Sequence, residues 1–464
     1  MRKPKTLGEL KESGYRVLSV KEEMRKNLIE KMRRNETLFP GIVGYENTVL
    51  PQIENAILAG QDIIFLGERG QAKTRIIRSL IYLLDEEIPV VQGCEINDNP
   101  YQPICKSCRL LLQEQGDDTP IDWLPREARF GEKLATPDVT TADLIGEIDP
   151  VKVAEGRYLS DELTIHYGLI PRTNRGIFAI NELPDLAERI QVALFNIMEE
   201  RDLQIRGFKV RLPLDVYVVA SANPEDYTNR GRIITPLKDR YGAQIRTHYP
   251  LNIQDEIRIM EQERKRFVDD GYKIMVPKFM KEIIAEVTNS ARRSGEINQR
   301  SGVSVRMSIT NYETMISNAL RRAIRLGEKE VAPRISDLPA IFSSTLGKIE
   351  LESMEEGREQ PLVEELLRRA VRRVFNRYLT VDMFQPFLER FQRGTRLEVS
   401  DMMPTKEYSR LVSEYSELMD GIVALGSFDS PAVVASGVEF ILEGLHVNEC
   451  LNKDIVEGKP VYRR

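Results

Sequence analysis

The sequence predicts an α/β fold, in which a five-stranded parallel sheet covered by helices is followed by a helical lid and a helical C-terminal extension. Three observations predict it. Five short β-rich runs, 62–66, 88–92, 176–180, 215–220 and 244–249, are widely spaced and mostly separated by helical stretches, the pattern of parallel strands joined by crossovers. The first run leads through Gly67-Glu68-Arg69-Gly70-Gln71-Ala72-Lys73-Thr74 into a helix, the order of parts in a phosphate-binding loop. Beyond about residue 250 strand signals stop and charged helices take over.

The elements follow in chain order. Residues 1 to about 35 read as charged helix, and the stretch from Phe39 to Glu46 interrupts it. A helix resumes over 47–58 and ends at Gly60. After the sheet, 255–266, 277–294 and 308–326 read as helices, the last closed by Gly327. A short acidic helix over 351–356 stops at Gly357. From Leu362 to Leu379 apolar pairs recur about once per turn, a stripe wider than a surface helix needs. That helix is expected in a core rather than at an oligomer contact. The divisions expected are an N-terminal helical segment over 1–36, a nucleotide-binding core over 37–265, a lid over 266–348 and an extension over 349–464.

Composition narrows the function. Of 464 residues, 30% are charged and 41% hydrophobic, with a net charge of −6. An acidic balance argues against an obligate nucleic-acid binder. No apolar run reaches the ~20 residues of a membrane span. The basic start, Met1-Arg2-Lys3-Pro4-Lys5, leads into no apolar stretch, so the cytoplasm is the expected compartment.

The chemistry is expected at the carboxyl ends of the strands. In the loop 67–74, backbone N–H groups would cradle phosphate, Lys73 would reach the β- and γ-phosphates, and Thr74 would hold Mg²⁺. Ala72 stands where the strict pattern has glycine, and its small side chain suits a helix start. The run Gly176-Ile177-Phe178-Ala179-Ile180-Asn181-Glu182 is an apolar strand ending in a polar pair. At such an end the first residue holds Mg²⁺ through its water shell, and the second orients and deprotonates the attacking water. Here the first is Asn181, one negative charge short, so weaker metal affinity is expected. Asn223, after a third strand, can hold the attacking water or touch the γ-phosphate. Arg240, just before the last strand, can stabilise transition-state charge on a neighbouring subunit's phosphate. Arg306 opens a lid helix. Each of these would be bland alone; their order gives them weight.

Cys94, Cys105 and Cys108 lie close in sequence, the last two as C-x-x-C. A zinc site needs four ligands. Cys94 could be the third and Asp98 or a water the fourth, with no histidine nearby. The favoured reading is a reduced structural hairpin or a redox-sensitive pair.

With these motifs in this order the chain resembles an AAA+ ATPase, and more closely the MoxR-type ATPases and the I subunit of magnesium chelatase. The resemblance rests on Ala72-Lys73-Thr74, on the block from Ala135 to Asp149, and on Glu155-Gly156-Arg157. It also rests on Gly168-Leu169-Ile170-Pro171-Arg172-Thr173-Asn174-Arg175-Gly176, Ala222-Asn223-Pro224-Glu225-Asp226 and Lys238-Asp239-Arg240-Tyr241-Gly242. It covers roughly residues 37–345. It implies an insert in the second helix near 142–175, with a hairpin. It implies Walker A at Lys73 and Thr74, Walker B at Asn181 and Glu182, sensor 1 at Asn223, an arginine finger at Arg240 and sensor 2 at Arg306. It implies ATP and Mg²⁺ as cofactors, a ring of six, and a partner carrying a von Willebrand A domain. The expected function is ATP-driven remodelling of a partner protein. The alternatives are an authentic magnesium chelatase subunit in tetrapyrrole synthesis and a non-hydrolysing ATP-binding scaffold.

Overall fold

The computed structural model describes residues 3–154, 161–200, 203–205, 208–210, 212–223, 232–266, 271–299, 301–352, 357–426, 430–456 and 459–464. Three motifs lie wholly or partly outside them: Glu155-Gly156-Arg157, the Pro224-Glu225-Asp226 stretch, and most of the acidic helix expected over 351–356. The chain forms two compact units, Met1–His248 and Tyr249–Arg464.

The first unit holds strands β1 (Ile63–Leu66), β2 (Glu87–Val91), β3 (Ile121–Pro125), β4 (Phe130–Leu134), β5 (Gly146–Ile148), β6 (Ile165–Tyr167), β7 (Gly176–Asn181), β8 (Leu203–Ile205), β9 (Phe208–Val210), β10 (Val216–Ala222) and β11 (Ala243–Arg246). Five of them make the central sheet in the order β11-β1-β10-β7-β4, all parallel. This is the α/β P-loop core that the sequence predicts, with one strand exchanged. The 88–92 run does form β2, but β2 pairs antiparallel with β3 outside the sheet. The fifth position belongs to β4, whose Phe130-Gly131-Glu132-Lys133-Leu134 has no apolar run because it lies at the sheet's edge.

Alternation along the strands sends side chains to two cores, one on each face. Ile63, Phe65, Ile177, Ala179, Tyr217 and Val219 join the cluster that also contains Val20, Met24 and Leu28 of the helix Val20–Arg33. Ile64, Phe178, Ile180, Val218 and Ala220 face the other cluster. Between β4 and β7 the chain makes the antiparallel β5–β6 pair, a hairpin where the insert was expected. It returns through the turn at 168–176. Gly176 is required there, since a Cβ would lie 2.0 Å from the Arg129 carbonyl oxygen. Arg129 itself is buried, with both guanidinium ends on Glu23 at 2.8 and 2.6 Å.

The second unit is built on helices Lys278–Ala291, Val305–Leu326, Glu359–Tyr378 and Pro431–Val447. The apolar stripe of Glu359–Tyr378 is core, as expected: Leu362, Val363, Leu366, Ala370, Val371, Val374 and Phe375 are buried. Phe440 stacks on Phe279 at 4.6 Å and lies 6.0 Å from Phe375. Contrary to the expectation that strands stop near 250, this unit has a short parallel pair, β12 (Lys273–Ile274) with β13 (Glu330–Val331). It also has a three-stranded antiparallel sheet, β14 (Leu397–Glu398), β16 (Lys459–Arg463) and β15 (Asn452–Val456). These strands are short and largely polar, so they carry little apolar periodicity. Among the described residues no helix is long and apolar enough to cross a membrane.

Candidate functional site

The phosphate-loop sequence leaves β1 and enters the helix Lys73–Ser79. Gly67 has no room for a side chain: a Cβ there would lie 2.0 Å from Thr247 Oγ1 and 2.3 Å from Gln71 Oε1. Those two side chains hold the loop in shape. Gln71 Oε1 accepts from the Glu68 N–H at 3.0 Å and from the Thr247 hydroxyl at 2.7 Å. The buried Tyr45 hydroxyl lies 2.9 Å from the Gln71 carbonyl and 2.7 Å from the His248 carbonyl. Burial pushes the Tyr45 pKa up to about 12, which keeps it a donor at neutral pH. Thus Gln71 serves the loop's own architecture through its side chain.

Ala72 differs from expectation in its reason. It is not helical but left-handed, with φ 58° and ψ 12°, the conformation that glycine adopts without penalty. The loop keeps its course at a cost of about 1–2 kcal/mol at this alanine.

Lys73 is buried, and its ammonium donates to the Gly67 carbonyl, to the Glu68 carbonyl at 2.8 Å and to Asn223 Oδ1 at 2.7 Å. A buried ammonium is costly unless acceptors surround it. β10 lies beside β1, so Asn223, one residue past its end, comes to the mouth of the loop.

β7 lies beside β10 and delivers Asn181 and Glu182 to the same edge. Asn181 Oδ1 accepts from the Ser221 hydroxyl at 3.2 Å and lies 3.5 Å from the Thr74 hydroxyl. Its amide nitrogen donates to Glu132 Oε1 at 2.6 Å. Glu182 is held left-handed, φ 56° and ψ 47°, with its N–H on Ser221 Oγ at 3.3 Å. A non-glycine residue in that region is strained, and such strain gathers at functional sites.

Sequence reasoning missed Glu132. It stands on β4, paired with Arg78 through two bonds of 2.8 and 3.1 Å. It sets a carboxylate against the asparagine that replaces the usual aspartate. Only the register of β4 against β7, with Leu134 opposite Asn181, brings it there. Thr74 Oγ1 and Asn181 Oδ1, 3.5 Å apart, are oxygen donors of the kind that suits a hard cation such as Mg²⁺. Glu132, whose oxygens meet Arg78 and the Asn181 amide, stands beside Asn181.

Arg240 pairs elsewhere in the first unit. Arg240 ends the helix Thr235–Arg240, forms an ion pair with Glu199 and sits over the Phe195 ring at 5.2 Å. Arg306 belongs to the second unit, exposed in the first turn of Val305–Leu326, with its N–H on the Ser304 cap at 3.1 Å.

Ala72→Gly should therefore relieve the left-handed strain. The expected gain is about 0.5–1 kcal/mol after the greater chain entropy of glycine is counted, read as a higher midpoint in urea denaturation. A lower midpoint would contradict the strained-loop account.

No family model matches the chain. The magnesium-chelatase subunit ChlI homolog of Methanocaldococcus jannaschii is 27% identical over 231 residues, 48% of this chain and 58% of that protein. The magnesium-chelatase subunit ChlI of Nephroselmis olivacea is 24% identical over 352 residues, 69% of this chain and 91% of that protein. Against Arabidopsis thaliana ChlI-2 the match spans 52% of the relative, so the chain spans little more than half of several of these proteins. A cryo-EM-based structure of the BchI–BchD complex of magnesium chelatase aligns over 71% of this chain and 98% of that one, at 18% identity. Its TM-score of 0.36 is too low to carry an argument. The resemblance to the I subunit of magnesium chelatase holds on the sequence relatives.

Proposed function

We propose that this chain binds and hydrolyses ATP as an AAA+ ATPase of the MoxR and magnesium-chelatase-I type, and that it uses the energy to remodel or activate a partner protein. The observation that carries the reading is the buried Lys73 ammonium. It is held between loop carbonyls and Asn223, beside the strand end that bears Asn181 and Glu182. Phosphate oxygens are stronger acceptors for an ammonium than carbonyls, because the hydrogen bond is then between ions. ATP would draw Lys73 away from its present partners.

In this reading backbone N–H groups of 67–74 receive the phosphates, and Lys73 neutralises them. Thr74 and Asn181 would hold Mg²⁺, with the Glu132 carboxylate, itself paired with Arg78, beside Asn181. When bound, Mg²⁺ offsets charge on the phosphate oxygens. Glu182 orients the attacking water and takes its proton, and Asn223 positions that water. Arg240 would act on the nucleotide of a neighbouring subunit in a ring of six, leaving Glu199 to do so. Arg306 would sense the nucleotide from the lid. A von Willebrand A protein is the expected partner, the cytoplasm the expected compartment, and the divisions at 36, 265 and 348 belong to the same proposal. The names of the sequence relatives favour a second reading, an authentic magnesium chelatase ATPase subunit. Stimulation of turnover by porphyrin-binding chelatase subunits would decide for it.

Metal handling gives the first test. Asn181→Asp should lower the Mg²⁺ concentration for half-maximal turnover several-fold, and Glu132→Gln should raise it. Wild-type turnover no higher than that of Glu182→Gln would leave the non-hydrolysing scaffold instead.

The ring gives the second. Arg240→Ala should keep ATP binding and lose about 10³-fold in turnover, the scale of an arginine finger. Mixing it with Glu182→Gln subunits should restore part of the activity, since some boundaries then pair intact Glu182 with intact Arg240. No recovery in rings shown to be mixed would mean that Arg240 does not act across a boundary.

A further inference from the structure

Away from the strand ends, the connection after β2 gathers four side chains that the ATP chemistry does not use. Cys94, Asp98, Cys105 and Cys108 each offer one ligand atom, and these atoms all lie within 4.8 Å of one another. Cys105 and Cys108 are buried, and Asp98 is 0% exposed. We propose that this cluster is a structural zinc site with three thiolate ligands and one carboxylate ligand. The reading of a bare reduced hairpin or redox pair is thereby set aside.

Three observations carry the proposal. The first is the backbone geometry. Cys105 caps the helix Lys106–Gln115, and its sulfur accepts from the Cys108 N–H at 3.3 Å. Cys94 sulfur accepts from the Asp98 N–H at 3.3 Å. Such N–H···S bonds orient a sulfur and stabilise its anionic form, the form that binds metal.

The second is Asp98. Its Oδ2 accepts from the Cys105 N–H at 3.0 Å, while its Oδ1 is buried with no hydrogen-bond partner. A buried carboxylate oxygen without a partner is costly. A second cysteine in a disulfide would do nothing for it. A cation held among the three sulfurs would satisfy it directly.

The third is size. Zinc–sulfur bonds of about 2.3 Å in a tetrahedron put ligand atoms about 3.8 Å apart. The cluster needs only small side-chain movements to close on one ion. Soft thiolates with one oxygen favour zinc over magnesium or calcium. Four protein ligands leave no open position, so the ion would be structural rather than catalytic. Three thiolates and a carboxylate around Zn²⁺ leave two negative charges. The adjoining cavity, of about 250 Å³, gives an ion a way in; Lys106 and Lys152 line it along with Glu95 and Glu162, and Lys106 is paired with Asp161.

The place in the fold says what the ion would hold. Asn97, beside Asp98, donates to the Arg172 carbonyl at 2.7 Å, and Asn174 donates to the Ile96 carbonyl at 3.0 Å. The cysteine connection is thus fastened to the turn that feeds β7. Zinc would staple that connection and steady the start of the strand that ends in Asn181 and Glu182.

The full chain, purified without chelator from zinc-supplemented culture, should carry about one zinc per chain by mass spectrometry of the metal. Cobalt exchanged into it should show thiolate-to-cobalt charge transfer and strong tetrahedral d–d bands. Cys105→Ser and Cys108→Ser should lose the metal, and Asp98→Asn should bind it more weakly. Cys450→Ser, in the second unit, should keep it. If the cysteine variants fail to fold, Cys450→Ser protein titrated with a mercurial should release its zinc as its three remaining thiols react. Metal-free protein from zinc-rich culture, with no cobalt spectrum and either free thiols or a disulfide, would overturn the proposal.

Discussion

A positive charge buried at the edge of the sheet governs the rest of the first unit's chemistry. Lys73 is buried where the loop enters its helix, so its ammonium has to find acceptors within the fold. It finds two loop carbonyls and Asn223. Asn223 is available only because β10 runs parallel to β1 and ends at the same edge. The same rule of parallel neighbours brings Asn181 and Glu182 from β7 and Glu132 from β4. Four segments far apart in sequence converge on one mouth because a parallel sheet collects its carboxyl ends there.

Charge at that mouth is distributed differently from the pattern the sequence leads one to expect. Asn181 removes a carboxylate from the strand end, but its amide is tied to Glu132, which restores one a single hydrogen bond away. Arg78 balances Glu132 from the helix that follows the loop. The loop helix, the edge strand and the Asn181 strand are thereby joined through one polar chain. Ser221 ties the Asn181 side chain to the Glu182 backbone and fixes a strained glutamate. The polar residues at this edge thus hold one another in place.

Much of this was legible in the sequence, and the gaps have physical causes. Apolar runs marked β1, β7 and β10, because buried central strands need them on both faces. They also marked β2, but no local pattern distinguishes a strand of the main sheet from one paired with β3. The edge strand β4 lacks such a run, so Glu132 could not be placed. The strands near the C-terminus are short, polar and, in Lys459–Arg463, interrupted by a proline, and pairing alone defines them. The loop tolerates alanine at position 72, as its small side chain implies, but the left-handed backbone there is a three-dimensional fact. The cysteine spacing suggested ligands, whereas the unpartnered oxygen of Asp98, which tips the balance to a metal, depends on burial.

The most direct measurement is the affinity of a fluorescent ATP analogue for wild type and for Lys73→Ala, with circular dichroism used to show that both are folded. The account predicts tight binding by wild type and its loss in the variant, because the phosphates lose the point charge buried at the loop. Equal affinity in two folded proteins would contradict it, since the Lys73 ammonium would then have no part in holding phosphate.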